Sequence, residues 1–260
     1  MLNFYKIILD TNKYLTLAIF ILAFLFFGYS SKDFKLDASS DTLILENDED
    51  LKKYQEILDI YSTNEFLITT ITSQQKIIKD ENIQFIRNFV NDVESLAWVD
   101  SVQSILDAPL LTINNQSLTD LVNEISTLES ENIDLIEAEY ELLHSPIFKD
   151  LLISKNAKTT GVLINFKRNE NFEKLSDQRD QLKLKNSLSD QEREELNFIN
   201  RLYEEEKIIN DSNRSKNIAQ IRKIIKEYEE SYKLEFHLGG VPMIADDTIS
   251  FVKNDIFIFG

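Results

Sequence analysis

An unbroken run of 18 uncharged residues, Tyr14 to Ser31, constrains this chain more than any other feature. Its centre, from Leu17 to Phe27, contains no strongly polar side chain. At about 1.5 Å of rise per residue, a helix of this length nearly crosses a hydrocarbon layer of about 30 Å, and the apolar turn Ile7–Leu9 before it adds length. The sequence therefore predicts a transmembrane helix over residues 14–31.

The residues on either side of this run set its predicted orientation. Lys6 and Lys13 precede it, whereas the long region after it is acidic. Basic residues favour the cytoplasmic side of a membrane, so residues 1–13 are predicted to be cytoplasmic and the bulk of the chain extracytoplasmic. A cleavable signal peptide is the competing interpretation, because Gly28 and Ser30 are small residues at a plausible cleavage spacing. The run is longer than the apolar core of about 7 to 15 residues in a signal peptide, which favours an uncleaved helix.

Charge and composition argue against several classes of function. The 45 acidic residues outnumber the 28 basic ones and give a net charge of -17. Such a charge repels phosphate backbones, so nucleic acid is not an expected partner. The chain has no cysteine, its two histidines, His144 and His237, have no ligand-spaced neighbours, and no Gly-rich phosphate-binding string occurs. We expect no enzymatic activity, no cofactor and no bound metal ion.

Alternating β-branched segments and amphipathic helical patterns predict two β-α-β units. The predicted strands are Phe66–Thr72, Val99–Ile105, Thr159–Phe166 and Leu234–Leu238. A helix that begins at Asp80 joins the first two strands, and a helix at Ser215–Tyr232 leads into the fourth. Two such units in one chain are typical of a ferredoxin-like split βαβ sandwich. We therefore predict an α+β membrane protein whose extracytoplasmic domain covers residues 32–240.

Two helical segments interrupt this scheme. A run that begins at Ser117–Asp120 keeps helical spacing through Leu143 and is ended by Pro146. The highly charged segment 167–214 predicts two helices in a protruding antiparallel hairpin, the second opening with the capping box Ser189–Glu192. This hairpin is either a surface for a partner protein or a solvated excursion, and its charge pattern favours the second interpretation.

The C-terminal segment changes from a turn to an apolar run. Gly239-Gly240-Val241-Pro242 is a turn signal, and the residues that follow become increasingly apolar. We predict that residues 241–260 begin a second transmembrane helix and that the chain stops as this helix starts. Asp246, Asp247 and Asp255 flank or enter the segment, and their position near its beginning favours an interface with water over a transport role.

The order of these pieces resembles a known family. The segment Phe34 to Leu43, with Asp37, Ser39, Ser40 and Asp41, is similar to the sequence after the first transmembrane helix in exporters of the RND superfamily, MMPL branch. The string Trp98 to Ile105 looks like their V-x-x-V-x-S strand, and Ser145 to Thr160 is similar to the segment before their next strand. Gly239, Gly240 and Pro242, followed by Asp247 and Asp255, resemble their entry into the second span.

The resemblance covers nearly the whole chain apart from the hairpin at residues 167–214. It implies a multi-pass pump in a bacterial inner membrane, with porter domains outside the membrane and transport driven by proton flow. In that family the proton-carrying residues lie in later spans, beyond Gly260. The implied partners are the lipid bilayer, a lipid-like or amphiphilic substrate, and a second copy or a periplasmic protein. The alternative is a membrane-anchored periplasmic adaptor that acts through its helical hairpin.

Overall fold

The computed structural model describes residues 13–30, 65–111, 125–185 and 187–259. The chain divides into two compact units, Met1–Thr42 and Leu43–Gly260. In the first unit, helix α1 spans Lys13–Ser30, within one residue of the predicted run, and buries none of its side chains. Within the described residues it is the one helix long and apolar enough to cross a membrane, a test that an N-terminal signal sequence also passes.

A four-stranded antiparallel sheet forms the centre of the second unit. Its strands are β1 (Phe66–Thr72), β2 (Val99–Gln103), β3 (Thr159–Phe166) and β4 (Glu235–Gly239). They lie in the order β2-β3-β1-β4, and each neighbouring pair is antiparallel. The four predicted strands are thus confirmed. β2 ends before Ile105 because Ser104 and Asp107 cap a short 3-10 turn in a reciprocal pair of hydrogen bonds.

In the described part of this unit, five α-helices accompany the sheet: α2 (Asp80–Glu94), α3 (Leu135–His144), α4 (Glu170–Lys183), α5 (Asp190–Tyr232) and α6 (Val241–Phe259). α2 follows β1, and α5 precedes β4, so each predicted β-α-β helix is present. Together with the sheet and the apolar α1, they make this an α+β chain.

The core lies between one face of the sheet and the helices α2 and α5. Alternate residues of β1 and β3 are buried, the period of a strand with one covered face. Phe89 of α2 is fully buried and lies 5.4 Å from the ring of Tyr228 and 5.3 Å from that of Phe236. The Tyr228 hydroxyl donates a hydrogen bond of 2.5 Å to Asp92, which ties α5 to α2.

The predicted helical run between Ser117 and Leu143 is wrong over residues 125–134. Those residues form a bridge and turns, and residues 112–124 lie outside the described part. Ser126 pairs with Leu110 as an isolated antiparallel bridge, which removes it from any helix. α3 begins only at Leu135, because the Asp134 carboxylate accepts hydrogen bonds from the N–H groups of the first turn.

The predicted helical hairpin is present, and its two arms pack on each other through a small core of their own. The ring of Phe172 on α4 stacks on that of Tyr203 on α5 with centroids 5.0 Å apart. The guanidinium of Arg179 lies 3.9 Å from the centre of the Tyr203 ring, and Ile199 beside it is buried. The hairpin is therefore a packed element with side chains committed to its internal contact.

The hairpin and the helix before β4 are not separate, which corrects the predicted break between Arg214 and Ser215. Residues 190–232 form one α-helix of 43 residues. No glycine or proline interrupts this segment, so nothing in the sequence forces a break. Arg214, at the expected boundary, pairs instead with Asp211 at 2.7 Å and with Glu65 at 2.5 Å. The pair with Glu65 fixes the helix to the chain just before β1, and the pair with Asp211 lies within the helix.

Three connections leave the sheet at the same end. Phe66, at the start of β1, is opposite Asn165 near the end of β3, and Ile68 is opposite Gly239 at the end of β4. The chain enters β1 here, the hairpin begins after β3, and α6 begins after β4. The junction of β4 with α6 therefore lies close to the base of the hairpin.

The N-terminus of α5 gives a pH prediction. Glu192 accepts hydrogen bonds from Lys185 at 2.6 Å and from the N–H and hydroxyl of Ser189, both at 2.8 Å, which lower the pKa of Glu192 from 4.5 to about 2. Because the folded pKa is lowered, this contribution to stability is present above pH 4.5 and is lost as the pH falls towards 2. Carboxyl NMR titration of the chain in detergent should give a Glu192 midpoint near 2.

The substitution Lys185→Met is the control for that titration, since it removes the first of these donors. The Glu192 midpoint should then rise towards its ordinary value. A midpoint that is the same in both proteins would contradict the assignment.

Candidate functional site

The positions singled out in the sequence fall into two groups. Asp37, Ser39, Ser40 and Asp41 lie outside the described residues. Gly239, Gly240, Pro242, Asp247 and Asp255 lie at the junction of β4 with α6 or along α6. This junction, from Gly239 to Asp247 with its contacts on β1 and α5, is the candidate functional site.

Gly240 is the point at which the chain turns from the sheet into α6. Its φ angle is +129°, a conformation that side chains rarely adopt. A Cβ atom at this position would lie 2.8 Å from the carbonyl oxygen of Phe66 and 3.2 Å from the Cα of Leu67. Only glycine therefore lets the junction pass so close to the backbone of β1.

The first turn of α6 is fixed to the sheet on the other side of Gly240. Pro242 is buried, and Met243 packs against the core. A proline suits the first turn because the backbone N–H groups there have no partner within the helix. The Ile244 N–H donates to the Gly240 carbonyl at 3.1 Å, so the helix begins directly from the turn.

An ion pair joins α6 to α5 one turn further along. Arg222 Nη2 lies 2.7 Å from Asp247 Oδ1, with 44% of the Arg222 side chain and 29% of the Asp247 side chain exposed. A half-exposed pair contributes modestly to stability, about 0.2–1 kcal/mol, and this one links α6 to α5. Asp247 thus acts as a contact between helices in this structure.

The remainder of α6 does not pack on the sheet. Phe251, Phe257 and Phe259 are 64%, 90% and 85% exposed. The Asp255 side chain is exposed, and its carboxylate makes no hydrogen bond or ion pair with any described residue. With Asp246, Asp247, Lys253 and Asp255 in its sequence, α6 carries too many charges to count as a candidate span. The prediction that residues 241–260 begin a second span stays a prediction.

The two histidines and Trp98 each contact a neighbouring side chain. His144 stacks on Tyr140 at 4.0 Å, and His237 lies beside Glu235 at 3.3 Å. Trp98 packs on Phe166, and its indole N–H donates to Gln220 at 2.8 Å. Among the described residues, no group of three His, Cys, Asp or Glu side chains is placed to hold a metal ion.

The sequence singled out Gly239 and Gly240 of this site but gave no sign of Arg222, its cation. Arg222 lies in a charged helix at a position 25 residues before Asp247, with no spacing rule to connect them. The sequence shows only that Arg222 and Asp247 have opposite charges, and many other pairs of residues in this chain do as well. Only the path of the chain through β4 and Gly240 brings the two side chains together.

Comparison of the chain with protein-family models, with curated proteins and with solved structures found no match.

Substitution of Gly240 tests the strain at the junction. Gly240→Ala should lower the free energy of unfolding by about 1–3 kcal/mol, because the new Cβ meets the Phe66 carbonyl and the φ angle is unfavourable. Gly239→Ala is the matched control, since its Cβ would meet nothing closer than Ile68 O at 3.9 Å. Urea unfolding followed by Trp98 fluorescence measures both, and equal effects would show that Gly240 is not strained.

A double-mutant cycle tests the ion pair. Arg222→Gln and Asp247→Asn should show a coupling free energy of about 0.2–1 kcal/mol in chemical unfolding, reduced by high salt. The control is Lys226 with Glu230, a more exposed pair at 3.9 Å within α5, whose coupling should be smaller. A cycle with no coupling at low salt would remove Arg222–Asp247 as a link between the helices.

Proposed function

We propose that this chain is the N-terminal part of a proton-motive-force-driven export pump of the RND superfamily, MMPL-type branch. It would move lipid-like or other amphiphilic substrates across or out of a bacterial inner membrane. The order of elements supports this proposal: an apolar helix, a domain built on an antiparallel sheet, and a helix that becomes apolar after it leaves the sheet. Residues 32–240 would form the porter domain, with the segment 167–214 inserted in it.

We also propose that the sheet domain is a ferredoxin-like split βαβ sandwich. Its strand order β2-β3-β1-β4, with all pairs antiparallel, supports this assignment. So does the placement of α2 between β1 and β2 and of α5 between β3 and β4. In this arrangement β2 and β4 are the two outer strands of the sheet.

The single observation that carries the functional proposal is the way α6 is joined to the sheet. Gly240 lies against the backbone of β1, Pro242 is buried, and Asp247 pairs with Arg222. A flexible linker would need none of these contacts. The first turns of α6 are therefore held against the sheet, an attachment that a pump needs if events in the membrane are to change the shape of a domain outside it.

In the proposed cycle, this chain supplies the mechanical connection. Proton flow would act on spans beyond Gly260, and the resulting displacement of α6 would reach the sheet through the Gly240 turn and reach α5 through Asp247. Because α5 lies on the sheet face with Ile218 and Ile221 fully buried, a shift of α6 would also move this helix. The amphiphile would be admitted or released at the surfaces that this movement exposes.

One observation favours the second candidate function, a membrane-anchored periplasmic adaptor. The hairpin of α4 and α5 has its own core around Tyr203 and extends from the sheet without needing it for packing. Such an arm is suited to contact another protein. In that case α1 would serve as an anchor, and no transport would depend on the junction.

The test is transport by the product of the complete reading frame in inner-membrane vesicles. A fluorescent amphiphile should move when a proton gradient is imposed and stop when a protonophore collapses it. Gly240→Val should reduce the initial rate about tenfold or more at equal protein abundance, because it disturbs the connection, while Gly239→Ala leaves the rate within about twofold.

Two results would contradict the pump. One is an absence of gradient-dependent movement at native protein abundance, with several amphiphiles tried. The other is a rate in Gly240→Val equal to that of the unmodified protein. Site-specific photo-crosslinking of the hairpin to one periplasmic protein, without transport activity, would instead support the adaptor.

A further inference from the structure

An apolar seam runs along the hairpin arm of α5 on a face that the hairpin itself does not use. Phe198, Leu202 and Ile209 are 54%, 36% and 53% exposed. At 3.6 residues per turn, spacings of four and eleven place these three side chains within about 40° of one another around the helix. They follow the helix for roughly 16 Å, the length of three turns.

The packing of α4 does not account for this seam. Ile199 and Tyr203, which face α4, are buried and lie about 100° around α5 from the seam. A solvated helix has no physical need for three large apolar side chains in line, and such a line is the usual mark of a helix that pairs with another helix.

Carboxylates border the seam. Glu194, Glu195 and Glu205 lie within about 60° of its centre line. The side chains of all three are exposed, and their carboxylates make no hydrogen bond or ion pair with a described residue. Arg201, the nearby cation, lies with its guanidinium 5.8 Å from the Phe198 ring. The border of the seam is therefore acidic, with carboxylates available for a partner.

These charges discriminate between the possible occupants. A second copy of the chain would bring the same three carboxylates towards one another, which is unfavourable. An anionic lipid surface would be repelled for the same reason. An amphipathic helix with apolar residues on one side and lysine or arginine beside them would match both features.

We propose that the seam of Phe198, Leu202 and Ile209 is a docking site for an amphipathic helix of another protein whose apolar face is bordered by basic residues. The seam supplies the apolar contact, and Glu194, Glu195 and Glu205 determine which helices are accepted. This inference goes beyond the proposed transport function and does not depend on it, since either a pump or an adaptor can carry such a site.

The experiment uses the full chain in a non-ionic detergent and two labelled synthetic helices of about three heptads. Both peptides have leucine at the seam positions, and one has lysine and the other glutamate on both borders. Fluorescence anisotropy, corrected for binding to detergent alone, should show the lysine peptide bound about tenfold or more tightly than the glutamate peptide. Added salt should reduce the difference.

Two sets of variants locate the site. Phe198→Glu and Leu202→Glu should each weaken binding of the lysine peptide about tenfold or more, as expected for a central apolar contact. Ile136→Glu is the matched control, because Ile136 is 82% exposed on α3, and it should change nothing. Reversal of the three carboxylates, by Glu194→Lys, Glu195→Lys and Glu205→Lys together, should invert the peptide preference.

Helical content from circular dichroism must be the same in each variant, which separates loss of the site from loss of the fold. Equal binding of the two peptides, or no effect of both seam substitutions, would overturn the proposal. It would also be overturned if the chain alone sedimented as a dimer that Leu202→Glu dissociated, because the seam would then be a contact between copies.

Discussion

The burial of one face of α5 against the sheet is the interaction on which the rest of this structure depends. Ile218, Ile221 and Ile225 all lie in the core. The same helix continues without a break to Asp190, where it forms the outer arm of the hairpin. It also carries Arg222, the partner of α6. If this face did not pack, α5 would no longer cover the sheet. The hairpin would then lose its attachment to the sheet, and α6 would lose its contact with Arg222.

The junction at Gly240 shows how backbone geometry can do what side chains alone cannot. Glycine permits the positive φ angle and the close approach to β1, and the buried Pro242 fixes the direction in which the chain leaves. The ion pair with Arg222 adds a contact that is modest in energy but directional. Packing therefore holds the junction, and the ion pair adds one contact between α6 and α5.

The sequence predicted best where a local pattern and a buried face coincide. The β-branched run at Phe66–Thr72 and the capping box at Ser189–Glu192 were predicted to the residue. The helix expected at residues 125–134 failed because Asp134 caps a later start and Ser126 pairs across to Leu110, neither of which spacing alone reveals. The pair Arg222–Asp247 could not be predicted, since it depends on the tertiary path between two helices.

Because α5 is long, a small rotation at its base produces a large displacement of its far end. From Arg214, where Glu65 holds it, to Asp190 at the far end, the helix extends about 36 Å beyond the sheet. A rotation of about 5° at the base would therefore displace the tip by about 3 Å, as far as a side chain moves when it changes rotamer. A small rearrangement beside the sheet would then reach a distant partner as a change in position, without any change in the structure of the arm itself.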